Sequence, residues 1–270
     1  MAAITLESNK AKIAKRVIEV LEFFGSARQP VTVMDVARHY GRPQSSTSEL
    51  LSSLVEMGIL YKDQGSRSFV PTPRLATLGI AAQPNVIRDG RLFNYMDRLA
   101  QTTRKTVALF GMVGTHVQVF RWVPSPDTLS DDIGCGSSEL LSSSIAGQLL
   151  ISTLPTEQVR GLLWRLNAEA DEDAKFDHAE TVGRVLQYHH EGSATGLAGF
   201  VPGAWMSAVM LPRDETERPL ALGVLYDQEA RRDAQALVET MKHGIEQIFA
   251  IDTRQYRSGA AAMPALVRAV

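Results

Sequence analysis

Apolar residues recur at three- and four-residue spacing from Ala11 to Phe24, with Ile13, Val17, Val20, Leu21 and Phe24 on one helical face. Gly25 then stops the pattern, in keeping with a glycine C-cap, and the turn SARQP follows. Thr32 is placed to cap a short helix through His39 that buries Val33, Val36 and Ala37. Gly41 makes a sharp break, and Pro43 suits the opening of the next helix, where its missing N–H costs nothing. In that helix Leu50, Leu51 and Leu54 form the inward stripe, while Gln44, Ser45, Ser48, Glu49 and Ser52 share the opposite face and Gly58 closes it. Two short alternating runs, ILYKD and RSFVP, flank the turn QGS and predict a hairpin. Three helices and a hairpin within residues 1–71 are the plan of a winged helix-turn-helix.

Beyond it, residues 72–104 predict a partly helical connector, with Leu92, Phe93, Met96, Leu99 and Ala100 at helical spacing. The period then changes. KTVALFGM and THVQVFRWV alternate as strands around Val113-Gly114, and WMSAVML and PLALGVLY do so around the polar turn PRDETER. IAGQLLISTL, EQVRGLLWRL and AETVGRVLQYHH predict helices, and residues 230–250 a closing amphipathic one through Ala236, Leu237, Met241, Ile245, Ile248 and Phe249. Residues 105–252 thus predict an α+β domain with an antiparallel sheet, followed by a tail, 253–270.

Composition narrows the class. The chain has 270 residues, enough for two domains, and is 44% hydrophobic and 21% charged, so it can bury a sizeable core. No apolar run reaches the roughly 18 residues of a membrane span. The N-terminus lacks the apolar stretch of a secretory signal, and the single cysteine excludes an internal disulfide, which together point to the cytoplasm. Net charge is −2, but residues 1–79 hold ten basic and seven acidic residues, a balance of +3, against −5 for the remainder. The positive end therefore coincides with the helix-turn-helix pattern.

A helix whose opening turn reads Gln44, Ser45, Ser46 and Thr47, with Ser48 next, has side chains short enough to bring backbone near phosphate and polar enough to bond base edges. Gln44, Ser45, Ser46 and Ser48 are the candidate DNA contacts, with Arg38, Arg42, Lys62 and Arg67 placed to neutralise phosphates around a groove. A solvated serine face is the bland alternative. The adjoining hairpin and the local positive balance favour DNA.

These residues resemble the IclR family of bacterial transcription regulators, whose turn and recognition helix read roughly Gly-Leu-Pro-Lys-Ser-Thr-Val-x-Arg-Leu-Leu-x-x-Leu. Gly41, Pro43, Ser45, Ser46, Leu50, Leu51 and Leu54 stand in register with it, and VTVMDVARHYG is similar to the family's preceding helix. FVPTPRLATLG is similar to its wing exit and linker, SSSIAGQLLISTLPTEQV to its Ala-x-Gly-Lys helix, and VPGAWMSAVMLP to its Pro-Gly-initiated strand. Glu49 and Gln44 depart from the pattern, each removing a cation next to phosphate, and EGSATGLAGF replaces an acidic segment. The resemblance implies a GAF-like effector domain, a homodimer or tetramer on a double-stranded operator, and a small-molecule effector, often a carboxylic acid.

The matching effector segment is IGCGSSELLSSSIAGQ. Ser142, Ser143 and Ser144 precede a helix start, where hydroxyls and free N–H groups can cradle a carboxylate without lysine. Cys135, Gly136 and Trp205 are the further candidates, Cys135 and Trp205 for an apolar lining. Alternatively one serine is only an N-cap, and the domain serves oligomerisation alone. Enzyme readings are weaker. His189 and His190 are adjacent and point apart on a helix, His116, His178 and His243 are scattered, and no HExxH, P-loop or nucleophile-elbow frame is present. No cofactor or metal is expected.

Overall fold

The computed structural model describes residues 9–26, 30–80, 83–125, 133–213 and 217–260, and the chain divides into two compact units, Met1–Gln83 and Pro84–Val270. The first contains α1 (Asn9–Ser26), α2 (Val33–His39), α3 (Gln44–Glu56), β1 (Leu60–Lys62), β2 (Phe69–Pro71) and α4 (Pro73–Ile80). Thr32 starts α2 through a capping box: its hydroxyl accepts the Asp35 N–H, and the Asp35 carboxylate accepts the Thr32 N–H at 2.9 Å. The Thr32 hydroxyl also donates to that carboxylate at 2.7 Å, and this bond, followed by the one from the Thr32 N–H, holds the Asp35 carboxyl below the usual carboxylate range. Gly41 turns the chain with φ at +59°, which only glycine adopts cheaply, and the Arg42 N–H closes back on Ala37 O at 2.8 Å. Pro43 then caps α3.

Val20, Val31, Val36, Leu51, Leu54, Leu60 and Phe69 form the core of this unit. Each buried side chain of this size contributes about 1.5–3 kcal/mol. Val31 also bridges Phe69, tying the residue before α2 to the hairpin. One expectation fails here. Ile13 is 56% exposed, because the residues of α1 that meet this core begin at Val17, a turn later.

The second unit holds α5 (Asn85–Arg88), α6 (Arg91–Thr103), β3 (Thr106–Val113), β4 (His116–Val123), β5 (Ser138–Leu140), α7 (Ile145–Ile151), α8 (Thr156–Glu169), α9 (His178–Glu191), β6 (Ser193–Leu197), β7 (Trp205–Met210), β8 (Leu220–Tyr226) and α10 (Ala234–Ala260). The strands make one antiparallel sheet in the order β5-β4-β3-β8-β7-β6. The sheet separates two cores. Ala108, Phe110, Met206, Ala208 and Leu225 face α7 and α9, while Val107, Leu109, Val209, Leu222 and Val224 face α6 and α10. Successive strand residues point to opposite faces, so this division follows residue parity.

The stretch 72–104, read as a connector, is divided between the units: α4 lies in the first, whereas α5 and α6 lie in the second. Leu92, Met96 and Leu99 bury fully against the sheet, so α6 is a structural layer. The helix expected over 230–250 begins at Ala234 after a 3-10 turn and continues to Ala260, past the expected start of the tail at 253. The rest of that tail lies outside the described residues, as does the middle of PRDETER.

Candidate nucleic-acid interface and effector site

The first turn of α3 is on the surface. Gln44 and Ser45 are exposed, Ser46 and Ser48 half-buried, and Thr47 turns inward, its hydroxyl donating to Pro43 O at 3.0 Å. No side chain caps the helix, so its opening N–H groups and their partial positive charge face outward with Gln44 and Ser45. Leu51 and Leu54 fix the helix from behind, and the wing follows directly from its end, where the Ile59 N–H bonds Leu54 O at 2.9 Å.

The candidate phosphate contacts differ in how they are held. Arg38 on α2 and Lys62 and Arg67 on the wing are exposed. Lys62 sits 5.8 Å from the Phe69 ring centroid, and Arg67 takes a left-handed conformation, φ +55°, at the wing tip. That tip is closed by Asp63, which accepts the Ser66 N–H at 2.6 Å and is held below its ordinary range by that bond. Arg42 is different. Its guanidinium pairs with Glu19 on α1 and lies over the Tyr40 ring, so it is half-buried in the helix-turn-helix joint. Arg16, on α1 and not among the candidates that the sequence pattern marks, donates from Nη2 to the Ser46 hydroxyl at 3.1 Å. A contact across thirty positions leaves no local pattern in sequence.

In the second unit Ser142, Ser143 and Ser144 form the turn between β5 and α7. Ser142 is half-buried and its carbonyl accepts from Gln148, Ser143 is exposed, and Ser144 is fully buried at the N-cap of α7. The Ser144 hydroxyl does not cap the helix, and its Oγ has no hydrogen-bond partner. A buried hydroxyl left unpaired is costly and calls for an explanation. The first helical bond here is Gln148 N–H to Ser144 O, which leaves the N–H groups of Ile145, Ala146 and Gly147 as the opening donors of α7. The β6–β7 loop, 198–204, lies on this turn: at Gly199, φ +83°, a Cβ would come 2.8 Å from Ser143 O. Within that loop Phe200 is buried against Phe110, with ring centroids 5.4 Å apart.

The other three candidates are not brought to this turn. Trp205 falls on the opposite face of the sheet, with Arg231 4.0 Å above its ring, because Met206 and Ala208 take the parity that faces α7. Cys135 is exposed in a turn that hangs on β4 through the Gly136 N–H and Val119 O, at 2.8 Å. Neither lines an apolar pocket with the serines. Among the described residues no His/Cys/Asp/Glu group is arranged to hold a metal ion, and no helix is long and apolar enough to cross a membrane.

An outward polar helix start with a wing following it, and a separate α+β domain, are the parts of a two-domain winged helix-turn-helix protein. Residues 14–64 match the model of the IclR helix-turn-helix domain. Solved structures extend the likeness over most of the chain. An IclR transcriptional regulator from Alicyclobacillus acidocaldarius is 20% identical, with TM-score 0.59, covering 90% of this chain and 98% of its own. IclR of Thermotoga maritima is 15% identical, with TM-score 0.58, covering 88% and 97%. An IclR homologue of Microbacterium hydrocarbonoxydans, complexed with 4-hydroxybenzoate, is 20% identical, with TM-score 0.59, covering 88% and 99%. No curated protein matches the chain in sequence. Residues 14–64 thus carry the pattern of an IclR helix-turn-helix domain, and the chain as a whole shares the fold of these solved IclR structures.

Proposed function

We propose that the chain is a cytoplasmic bacterial regulator that docks the first turn of α3 in the major groove of an operator, as a homodimer or a pair of dimers, and releases or grips it according to a bound organic or aromatic acid. The observation that carries the DNA half is the exposed Gln44–Ser45 turn, fixed from behind by Leu51 and Leu54 and flanked by a basic wing. Arg38, Lys62 and Arg67 meet phosphates, while Gln44, Ser45 and Ser48 reach base edges.

The effector half rests on Ser144. Its unpaired buried hydroxyl and the opening N–H groups of α7 are donors for one carboxylate, and a solved relative carries such an acid, 4-hydroxybenzoate. Entry of an aromatic acid would lift the 198–204 loop and displace Phe200 from Phe110, exchanging one ring for another. The ligand shifts DNA affinity only by its differential affinity for the two arrangements.

A second reading, in which the domain binds nothing and serves assembly, is favoured by one observation. The apolar face is already filled: a Cβ at Gly223 would come 2.6 Å from the Met206 sulfur and 2.8 Å from the Phe110 ring. A thermal-shift screen of aromatic and short-chain acids separates the two, since only the first expects a rise in melting temperature. For an acid that binds, Ser143→Glu places a tethered carboxylate at the turn, and calorimetric binding is expected to disappear while the fold survives. Undiminished binding to Ser143→Glu would place the acid elsewhere.

A further inference from the structure

The helix offered to DNA, Gln44–Glu56, contains no lysine, arginine or histidine. The cation resting on its first turn comes from another helix. Arg16 of α1 reaches Ser46, and Ser46 in turn donates to Pro43 O at 3.2 Å. Among the described residues no carboxylate pairs with Arg16, in contrast to Arg42, which Glu19 neutralises. Its Nε is buried without a partner, so the guanidinium is held in one orientation by packing and by Ser46, while Nη1 is neither bonded within the described residues nor buried. An unpaired guanidinium at the positive end of a helix is electrostatically unfavourable in the free protein. A phosphate beside that turn removes the conflict, accepting from the guanidinium and from the helix N–H groups together.

We propose that Arg16 supplies the phosphate contact at the start of α3, that Ser46 positions it rather than reading a base, and that Arg42 is a clamp of the α1–α3 joint. This exchanges the roles that sequence spacing gives to Arg42 and Ser46. It rests on the reading that the first turn of α3 meets DNA, and the experiment below separates the two.

The probe is a duplex selected by the full-length protein from a random-sequence pool, and the readout is the salt dependence of affinity. Removing one phosphate contact flattens the slope of log affinity against log salt by about 0.9, so between 50 and 200 mM salt Arg16→Gln should lose about three- to fourfold less affinity than the native chain. Arg42→Gln should keep the native slope and lower the melting temperature. Ser46→Ala should weaken binding without changing which sequences are selected. On the native protein, phenylglyoxal should modify Arg16 less when the duplex is bound, read by mass spectrometry, which needs no variant to fold. A native slope in a folded Arg16→Gln, or no protection of Arg16 in the complex, overturns the assignment. If Gln44→Ala with Ser45→Ala still weakens binding in that event, the DNA reading stands without Arg16. If it too binds as the native chain does, both fall.

Discussion

Gln44→Ala combined with Ser45→Ala should weaken operator binding by at least about thirtyfold, taking about 1–3 kcal/mol for the hydrogen bonding of each side chain to a base edge. Both side chains are exposed and neither supports the core, so the melting temperature should hold. The loss should also be selective. Binding to a random duplex depends on phosphate contacts and should change little, so that the ratio of specific to non-specific affinity collapses. Parallel titrations of both duplexes check this, and an equal loss on both would mean that the turn positions the protein without reading sequence.

The largest expected effect on stability lies at Gly147 in α7. A Cβ there would come 2.3 Å from Leu141 O and 2.7 Å from Leu141 Cα, both backbone atoms that no rotamer change can move. Gly147→Val should therefore destabilise the second unit by about 3 kcal/mol. Leu141 is fully buried, so the strain cannot be relieved by sliding the turn outward. In urea unfolding, the transition of the second unit should move to lower denaturant while that of the first is retained. An unshifted second transition would show that α7 is not seated on the Ser142–Ser144 turn as described.

The helix-turn-helix was legible in sequence because its determinants are local. Gly41 and Pro43 mark the turn, Thr32 the cap, and the Leu51 and Leu54 stripe the buried face. The second unit was legible where apolar-rich strand patterns run for seven or eight residues, as in β3, β4 and β8. The edge strands were not. Ser138–Leu140 is too short to show a period, and Ser193–Leu197 is broken by Gly196. They are strands because β4 and β7 offer them backbone partners.

The candidate sites were legible only in part, for a related reason. Which residues share a turn follows from order along the chain, so the serines stand together. Which residues meet across a sheet follows from register and parity, and these send Trp205 to the α10 face. The sorting of cations was out of reach as well. Glu19 neutralises Arg42 whereas Ser46 holds Arg16 without neutralising it, and both contacts form only when α1 folds against the turn before α3 and the start of that helix.

The most direct test of the central claim, that the opening turn of α3 enters DNA, is cleavage from that turn itself. Ser45→Cys in a Cys135→Ser background would carry an iron chelate and be bound to the selected duplex. The expected result is strand cutting confined to a few base pairs within the bound site, with a label at exposed Glu157 of the second unit cutting elsewhere or not at all. Cutting spread evenly along the duplex from Ser45→Cys, or none from a complex that still forms, would contradict it.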